Sequence, residues 1–192
     1  MALQYTIEEF SHDISVAEYI AHFHKPNEVW GYCRACSNYG KQRGCPPFDF
    51  DVVERLSQYV KVLLVATKIT PTATRLPYQE SEQFIRTERI RLERRLLDLE
   101  RQYNGLASIY IGSCLHCPEG NCTRPLDKVC RHPEYVRPSL EAYGFDITKT
   151  LSELFDIELK WGTNGFSPEY IVLVCGLFHN VECNLKGKIN KF

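Results

Sequence analysis

The sequence predicts an α/β or α+β domain, with a mixed sheet of about four strands and cysteine-rich loops at its edge. Three observations lead to this fold class. Apolar, β-branched runs of strand length alternate with segments of helical periodicity. The longest helical segment lies between two such runs, which predicts a right-handed β-α-β unit. Seven of the 9 cysteines fall in two short segments that also contain Gly and Pro, which is typical of loops.

The first half of the chain is predicted to form two short helices and a buried strand. Residues 15–23 place their apolar side chains on one side of a helix. Asp49 or Asp51 is expected to cap a second helix that begins near Val52. Residues 60–67 are almost continuously apolar and β-branched, as in a buried strand. Residues 32–50 are expected to form a loop.

The second half of the chain contains the clearest helix. Residues 79–103 carry a single apolar stripe, and the Asn104-Gly105 pair is expected to end the helix. Residues 106–111 are predicted to form the next strand, which leads into a cysteine-containing loop. Asp146 is placed to cap another helix, and residues 170–175 are predicted to form the last strand.

Composition and charge narrow the functional classes. The net charge is −1, with 23 basic and 24 acidic residues, so no overall field favours nucleic acid or a membrane. The N-terminal residues do not resemble a signal peptide, and no segment approaches the run of about 18 apolar residues that a membrane helix needs. We therefore expect a cytoplasmic protein. In that compartment thiolates bind metals or act in catalysis, because disulfides are rare there.

Domain organisation and cysteine count point to metal binding. Hydrophobic residues make up 44% of the chain, enough to form a core without disulfides or metal. The odd count of 9 cysteines also fits poorly with a closed disulfide framework. We predict a single metal-binding, iron–sulfur domain over residues 1–192, with residues 1–50 an N-terminal lobe that carries the first cysteine group.

Four cysteines form what we call the second cysteine group, with the spacing C-x2-C-x4-C-x7-C. A 4Fe–4S cluster takes one soft thiolate ligand at each of its four irons, so this group matches its ligand requirement. Zinc is the alternative, since four cysteines also make a closed tetrahedral site, although zinc ribbons usually pair two C-x2-C knuckles. Redox thiols without a metal are the third reading. The members are Cys114, Cys117, Cys122 and Cys130.

The first cysteine group has three members, Cys33, Cys36 and Cys45, with the spacing C-x2-C-x8-C. A cluster held here would have an open iron that binds substrate or water, or a fourth ligand from elsewhere. The two groups could also pool their ligands around one site. The candidates for a remote fourth ligand are Cys175, Cys183, His22 and His24.

Residues outside the two groups receive weaker assignments. Cys175 ends an apolar strand, and its more common role there is core packing. His116 lies between two predicted ligands, and we expect it to face solvent. Tyr32, Tyr39 and Phe48 would shield the first group or pack nearby. Five basic residues around the cysteines are expected to compensate thiolate charge: Arg34, Lys41, Arg43, Arg124 and Arg131.

Residues 33–47 (CRACSNYGKQRGCPP), 112–117 (GSCLHC) and 130–147 (CRHPEYVRPSLEAYGFDI) resemble a prokaryotic family. It is the family described as "predicted metal-binding protein", domain of unknown function 2284, and the resemblance spans almost the whole chain. The resemblance implies metal binding by the seven cysteines of the two groups, without Cys175 and Cys183, and it implies no particular reaction. Within the third motif, Ser139 is placed to cap a helix whose positive end would point toward a cluster.

These observations predict a small redox protein for electron transfer. It would hold one 4Fe–4S cluster at the second cysteine group, with the first group as a candidate for another, and would dock on a redox partner protein. Alternatives are a small enzyme that uses an open iron at the first group and a zinc-binding structural or interaction module. We find no Gly-rich nucleotide loop, no Ser-His-Asp pattern and no C-x3-C-x2-C motif, which favours the electron carrier.

Overall fold

A computed structural model describes residues 4–109, 114–118, 121–182 and 185. A short 3-10 turn, Arg124–Leu126, lies within the second cysteine loop. The five helices and four strands of this part follow one another as β1 (Tyr5–Ser15), α1 (Val16–Phe23), α2 (Pro26–Ala35), α3 (Val52–Leu56), β2 (Lys61–Pro71), α4 (Tyr78–Tyr103), β3 (Leu106–Ser108), α5 (Ile147–Phe155) and β4 (Ile171–His179).

The four strands form one sheet in the order β1-β2-β4-β3. β1 and β2 pair along their whole length, with Tyr5 opposite Pro71 and Ser15 opposite Lys61. The predicted class, an α/β or α+β fold with a four-stranded sheet and cysteines in loops, is confirmed. The division into one domain with an N-terminal lobe stays a prediction.

The pairing of the strands corrects one part of the prediction. Every neighbouring pair is antiparallel, so the sheet is not mixed. β2 and β3 run in the same direction, because each is antiparallel to β4, which lies between them. The β-α-β unit is therefore present in split form, without a directly bonded parallel pair. β4 takes the inner position because its residues from Leu173 to His179 are buried on both faces of the sheet.

The predicted helix boundaries agree closely with the structure. Ser15, Asp51 and Asp146 cap α1, α3 and α5, with N–H to side-chain oxygen distances of 3.2, 2.7 and 2.9 Å. Each of these caps satisfies an amide of the first helical turn. Asn104 follows α4 in the left-handed conformation, with φ of 49°, and so ends that helix as predicted.

Three segments differ from the sequence prediction. β1 was not predicted, because its residues are mostly polar and only one of them is buried. α2 was not predicted either, because it buries none of its side chains and therefore has no apolar stripe. The predicted helix after Ser139 is wrong: the segment is a turn, in which Phe145 N–H bonds Leu140 O at 3.0 Å. Gly144, with φ of 92°, supports this turn.

Two apolar cores cover the two faces of the sheet. One core contains Tyr19 of α1, Phe145 and Phe178, and the other contains Leu92 of α4. Cys175 of β4 belongs to the second core and is 1% exposed, which agrees with the predicted packing role. Within the described part of the chain, we find no helix with the length and apolar character needed to cross a lipid bilayer.

Candidate metal centre

The first cysteine group follows directly from α2. The sequence predicted a loop from residue 32, but α2 continues to Ala35, so Cys33 lies in its last helical turn. Cys36 caps this helix, with its N–H 3.0 Å from Cys33 O. Gly40 N–H then bonds Pro46 O at 2.9 Å, which closes the loop between Cys36 and Cys45. Gly40 has φ of 68°, a conformation that glycine adopts without steric cost.

The second cysteine group occupies the segment between β3 and α5. Its four cysteines are all partly buried. Thr123 Oγ1 donates to Val129 O at 3.0 Å, and Thr123 O accepts from Lys128 N–H at 3.2 Å. These bonds close a turn, and they bring the flanking Cys122 and Cys130 toward each other. Residues 110–113 and 119–120, which include Gly112 and Gly120, lie outside the described residues.

Gln42 joins the two loops through its side chain. Its Oε1 accepts a hydrogen bond from the Cys114 N–H at 2.7 Å, and its Nε2 donates to Asn38 Oδ1 at 2.9 Å. The first cysteine of the second group is therefore hydrogen-bonded to the loop that carries the first group.

Arg124 makes a second connection between the loops. Its guanidinium donates to the backbone carbonyls of Gln42, Cys45 and Pro47. Arg43 bonds in the opposite direction, from the first loop to the Lys128 carbonyl. Hydrogen bonds from a charged donor are stronger than neutral ones. The two loops therefore form one continuous unit.

The thiols of the two groups lie within electrostatic reach of one another. Burial raises the pKa of Cys45 to about 11, and the neighbouring Cys36, Cys33 and Cys122 add to this effect, while Arg124 opposes it. The influence of Cys122 on Cys45 crosses from one group to the other. The hydrogen bonds that Gln42, Arg124 and Arg43 make between the two loops place the groups side by side.

The other raised thiol pKa values have the same origin. Burial raises the pKa of Cys114, and Cys117, Cys130 and Cys122 raise it further. Burial also raises the pKa of Cys33. A bound metal cation would place positive charge between the sulfur atoms and would favour their thiolate form.

Backbone amides and one arginine point at the sulfur atoms. Asn38 N–H lies 3.5 Å from Cys36 Sγ, and His132 N–H lies 3.4 Å from Cys130 Sγ. Arg131 Nη1 is 3.9 Å from Cys117 Sγ. Of the basic residues expected near the cysteines, Arg131 contacts a sulfur atom directly, and Arg124 and Arg34 partly oppose the rise in the pKa of Cys45 and Cys33 respectively.

The arrangement is one of two neighbouring thiol groups. Among the described residues, no three His, Cys, Asp or Glu side chains converge closely enough to hold a single metal ion. A tetrahedral zinc site places its thiolates about 3.8 Å apart, since each Zn–S bond is about 2.3 Å long. A four-iron cluster takes its thiolates at four separate corners. The donor set of each group is all cysteine sulfur, the ligand type that both zinc sites and iron–sulfur clusters use.

The candidates for a remote fourth ligand lie in different places. Cys175 is enclosed in the core of the sheet. His24 Nε2 lies 2.9 Å from Tyr143 O, and its ring packs beside Phe145. His22 is exposed on α1. Cys183 lies outside the described residues.

Glu141 is a charged residue near the first group that the sequence reasoning missed. Its carboxylate raises the pKa of the Cys33 thiol, and burial raises the pKa of Glu141 itself. Within the described part of the chain, its Oε2 has no hydrogen-bond partner. Glu141 lies in the third motif that resembles the family, and this was the signal that could have identified it. The sequence analysis instead predicts the first turn of a helix in that segment.

Two expectations for neighbouring side chains are corrected. His116 does not face solvent: its Nε2 lies 2.7 Å from Glu93 Oε1, and its ring stacks on Tyr135 at 4.6 Å. Tyr32 is 79% exposed, so it does not shield the first group. Tyr39 instead lines a cavity beside that group.

A comparison with known protein families gives one match. A family model described as "predicted metal-binding protein (DUF2284)" matches residues 20–175. The matched range includes all seven cysteines of the two groups, and it ends before Cys183. No curated protein and no solved structure matches the chain.

Proposed function

The chain belongs to the DUF2284 family of predicted metal-binding proteins, and we propose that it is an iron–sulfur protein that transfers electrons. The second cysteine group would hold one 4Fe–4S cluster, and the first group would hold another. The observation that carries this proposal is the connection of the two cysteine loops, in which Gln42 Oε1 accepts the Cys114 N–H and Arg124 donates to the Cys45 carbonyl. When bound, such clusters supply one-electron transfer.

The surroundings of the cysteines support a carrier that docks on a redox partner protein. Cys36 is exposed, so the first group reaches the surface. Large apolar side chains stand in solvent next to the ligands: Tyr32 is 79% exposed, Leu126 65% and Val129 84%. Exposed apolar surface of this kind often marks a protein-interaction site. We propose that the partner contacts the molecule here.

Anaerobically purified protein is expected to be brown, with broad absorption at about 400 nm from charge transfer between thiolate and iron. Analysis of iron, acid-labile sulfide and zinc in the same sample measures the metal directly. Colourless, zinc-loaded protein from iron-replete anaerobic cells would contradict the proposal and support the zinc-binding structural module instead.

Cysteine variants are expected to separate ligands from core residues. Cys122→Ser should remove most iron from the second group, because it deletes one of four ligands. Cys175→Ser should retain the iron and lower the free energy of unfolding by about 1–3 kcal/mol, since it buries a hydroxyl in an apolar core. Iron analysis and urea denaturation of both variants provide the test. Loss of a cluster in Cys175→Ser would identify Cys175 as a ligand.

A small enzyme with an open iron at the first group is the second candidate function. The observation that favours it is a cavity next to the first loop, lined in part by Tyr39 and Pro46. A ligand held there would lie close to Cys45, the residue before Pro46. A test for an exchangeable iron at the first group separates the enzyme from the carrier.

A further inference from the structure

A cavity of about 220 Å³ lies beside the first cysteine group. Four aromatic residues line it, together with two prolines, one aliphatic residue and one acid. The lining includes Trp30, Tyr39, Phe48, Phe50 and Asp51.

Contacts outside the cavity hold its walls in place. Trp30 lies on α2, and its indole N–H donates to Ala142 O at 3.0 Å. Phe48 and Phe50 stack on each other, with ring centroids 4.9 Å apart and an interplanar angle of 16°. Phe48 also packs against the buried Tyr143 at 5.9 Å. These side chains are therefore preorganised, and a ligand would not have to order them.

Asp51 and the aromatic rings give the cavity lining a negative character, and Arg55 adds a positive charge beside it. Aromatic rings carry negative charge on their faces, which attracts cations. Among the described residues that line the cavity, Asp51 is the only charged one. Its Oδ1 caps α3 by accepting the Glu54 N–H at 2.7 Å, and its carboxylate is exposed. One ring of this wall already holds a cation, since the Arg55 guanidinium carbon lies 4.5 Å from the centroid of Phe50.

We propose that this cavity binds a small organic cation of the methylated ammonium class. Methyl groups spread the positive charge over an apolar surface that can contact aromatic side chains, whereas a bare metal cation keeps its water. The nearby carboxylate of Asp51 complements the charge. The volume is below the range of about 300–1,000 Å³ for drug-sized ligands, so the ligand is small. The inference does not depend on which metal the cysteines bind.

Calorimetric titration of the metal-loaded protein tests the proposal, with choline as the probe and its neutral isostere 3,3-dimethylbutan-1-ol as the comparison. Choline is expected to bind about tenfold more tightly, because only choline gains the cation–π and carboxylate attraction. Equal affinity for the two compounds, or no heat of binding from choline at millimolar concentration, would overturn the proposal.

Two charge variants reveal the sign of the ligand's charge. Asp51→Asn keeps a side-chain oxygen to cap α3 and is expected to weaken choline binding by about fivefold. Arg55→Gln removes the positive charge that lies against Phe50 and is expected to strengthen choline binding. A neutral ligand would respond to neither variant, and an anionic ligand would respond in the opposite direction. If Asp51→Asn does not fold, Arg55→Gln and the neutral isostere still decide the question.

Substitution of Trp30 provides an independent test, because the chain has only 2 tryptophans and the other one can serve as the control. Trp161 is 76% exposed and does not line the cavity, so Trp161→Phe is the matched control and should bind choline unchanged. Trp30→Leu is expected to reduce the affinity about tenfold. Unchanged affinity in Trp30→Leu would show that choline binds elsewhere.

Discussion

Replacing Arg124 with Gln is expected to make both cysteine groups lose metal to a chelator at least about tenfold faster than in the unaltered protein. The guanidinium bonds three carbonyls of the first loop from its position in the second loop. A hydrogen bond to a charged group contributes about 1.5–3 kcal/mol, and the two partly buried carbonyls left without this donor add to the loss. A glutamine side chain can replace at most part of this pattern.

The measurement is the rate of iron or zinc release to a chelator under anaerobic conditions. Arg101→Gln is the matched control, because Arg101 lies on α4 in an exposed ion pair with Asp98, a kind of pair that contributes little to stability. It should release metal at the rate of the unaltered protein. If Arg124→Gln weakens only the second group, the two loops hold their metals independently, and the view of a single continuous unit is wrong.

The parts of the fold that local patterns determine were predictable. The apolar stripe of α4 and the caps at Asp51 and Asp146 depend on residues within one or two helical turns, so the sequence reveals them directly. The strand order could not be predicted in this way. β4 inserts between β2 and β3 because of long-range packing, and a split β-α-β unit has the same local pattern as a paired one.

The missed elements have a common physical reason. β1 lies at the edge of the sheet and exposes most of its side chains, and α2 buries none of its own. Hydrophobic periodicity reports burial, so it has little to detect in such segments. α2 nevertheless positions Cys33 and Trp30. The unpredicted helix therefore belongs to the candidate site as well as to the fold.

The cysteines that form the candidate site stand out in the sequence, whereas the contacts that support them do not. The spacing of the cysteines indicated two groups, and the structure places these groups next to each other. Gln42 and Arg124 hold the groups together through contacts that span at least 72 residues of sequence, and nothing in the local pattern of either residue indicates a partner so far away. Glu141 was missed because its burial depends on the turn that replaces the predicted helix.

A cluster at the first cysteine group is expected to have one exchangeable iron. Cys33, Cys36 and Cys45 supply three ligands, whereas a 4Fe–4S cluster has four irons. In the part of the chain that the structure describes, Cys175 is enclosed in a core, and His24 contacts the Tyr143 carbonyl. If no other protein group completes the set, the fourth iron binds water or a small ligand.

The Cys114→Ala variant, in which the second site is disabled, should therefore lose one iron on mild oxidation and give the EPR signal of a three-iron cluster. Its spectrum should also shift when cyanide or a thiol is added, because the open iron accepts the new ligand. The Cys33→Ala variant retains only the fully ligated second cluster, so it should do neither.

Cys183 and His22 remain as candidates for the fourth ligand, and the test extends to Cys183. In a Cys114→Ala background, Cys183→Ser should leave the EPR signal and the ligand response unchanged if the fourth iron is open. If the response appears only after Cys183→Ser, then Cys183 is the fourth ligand. If the cluster of the Cys114→Ala variant resists oxidation and ignores added ligands with or without that substitution, the open-iron enzyme is excluded. The electron carrier, whose clusters need no exchangeable position, then becomes the better account of the first cysteine group.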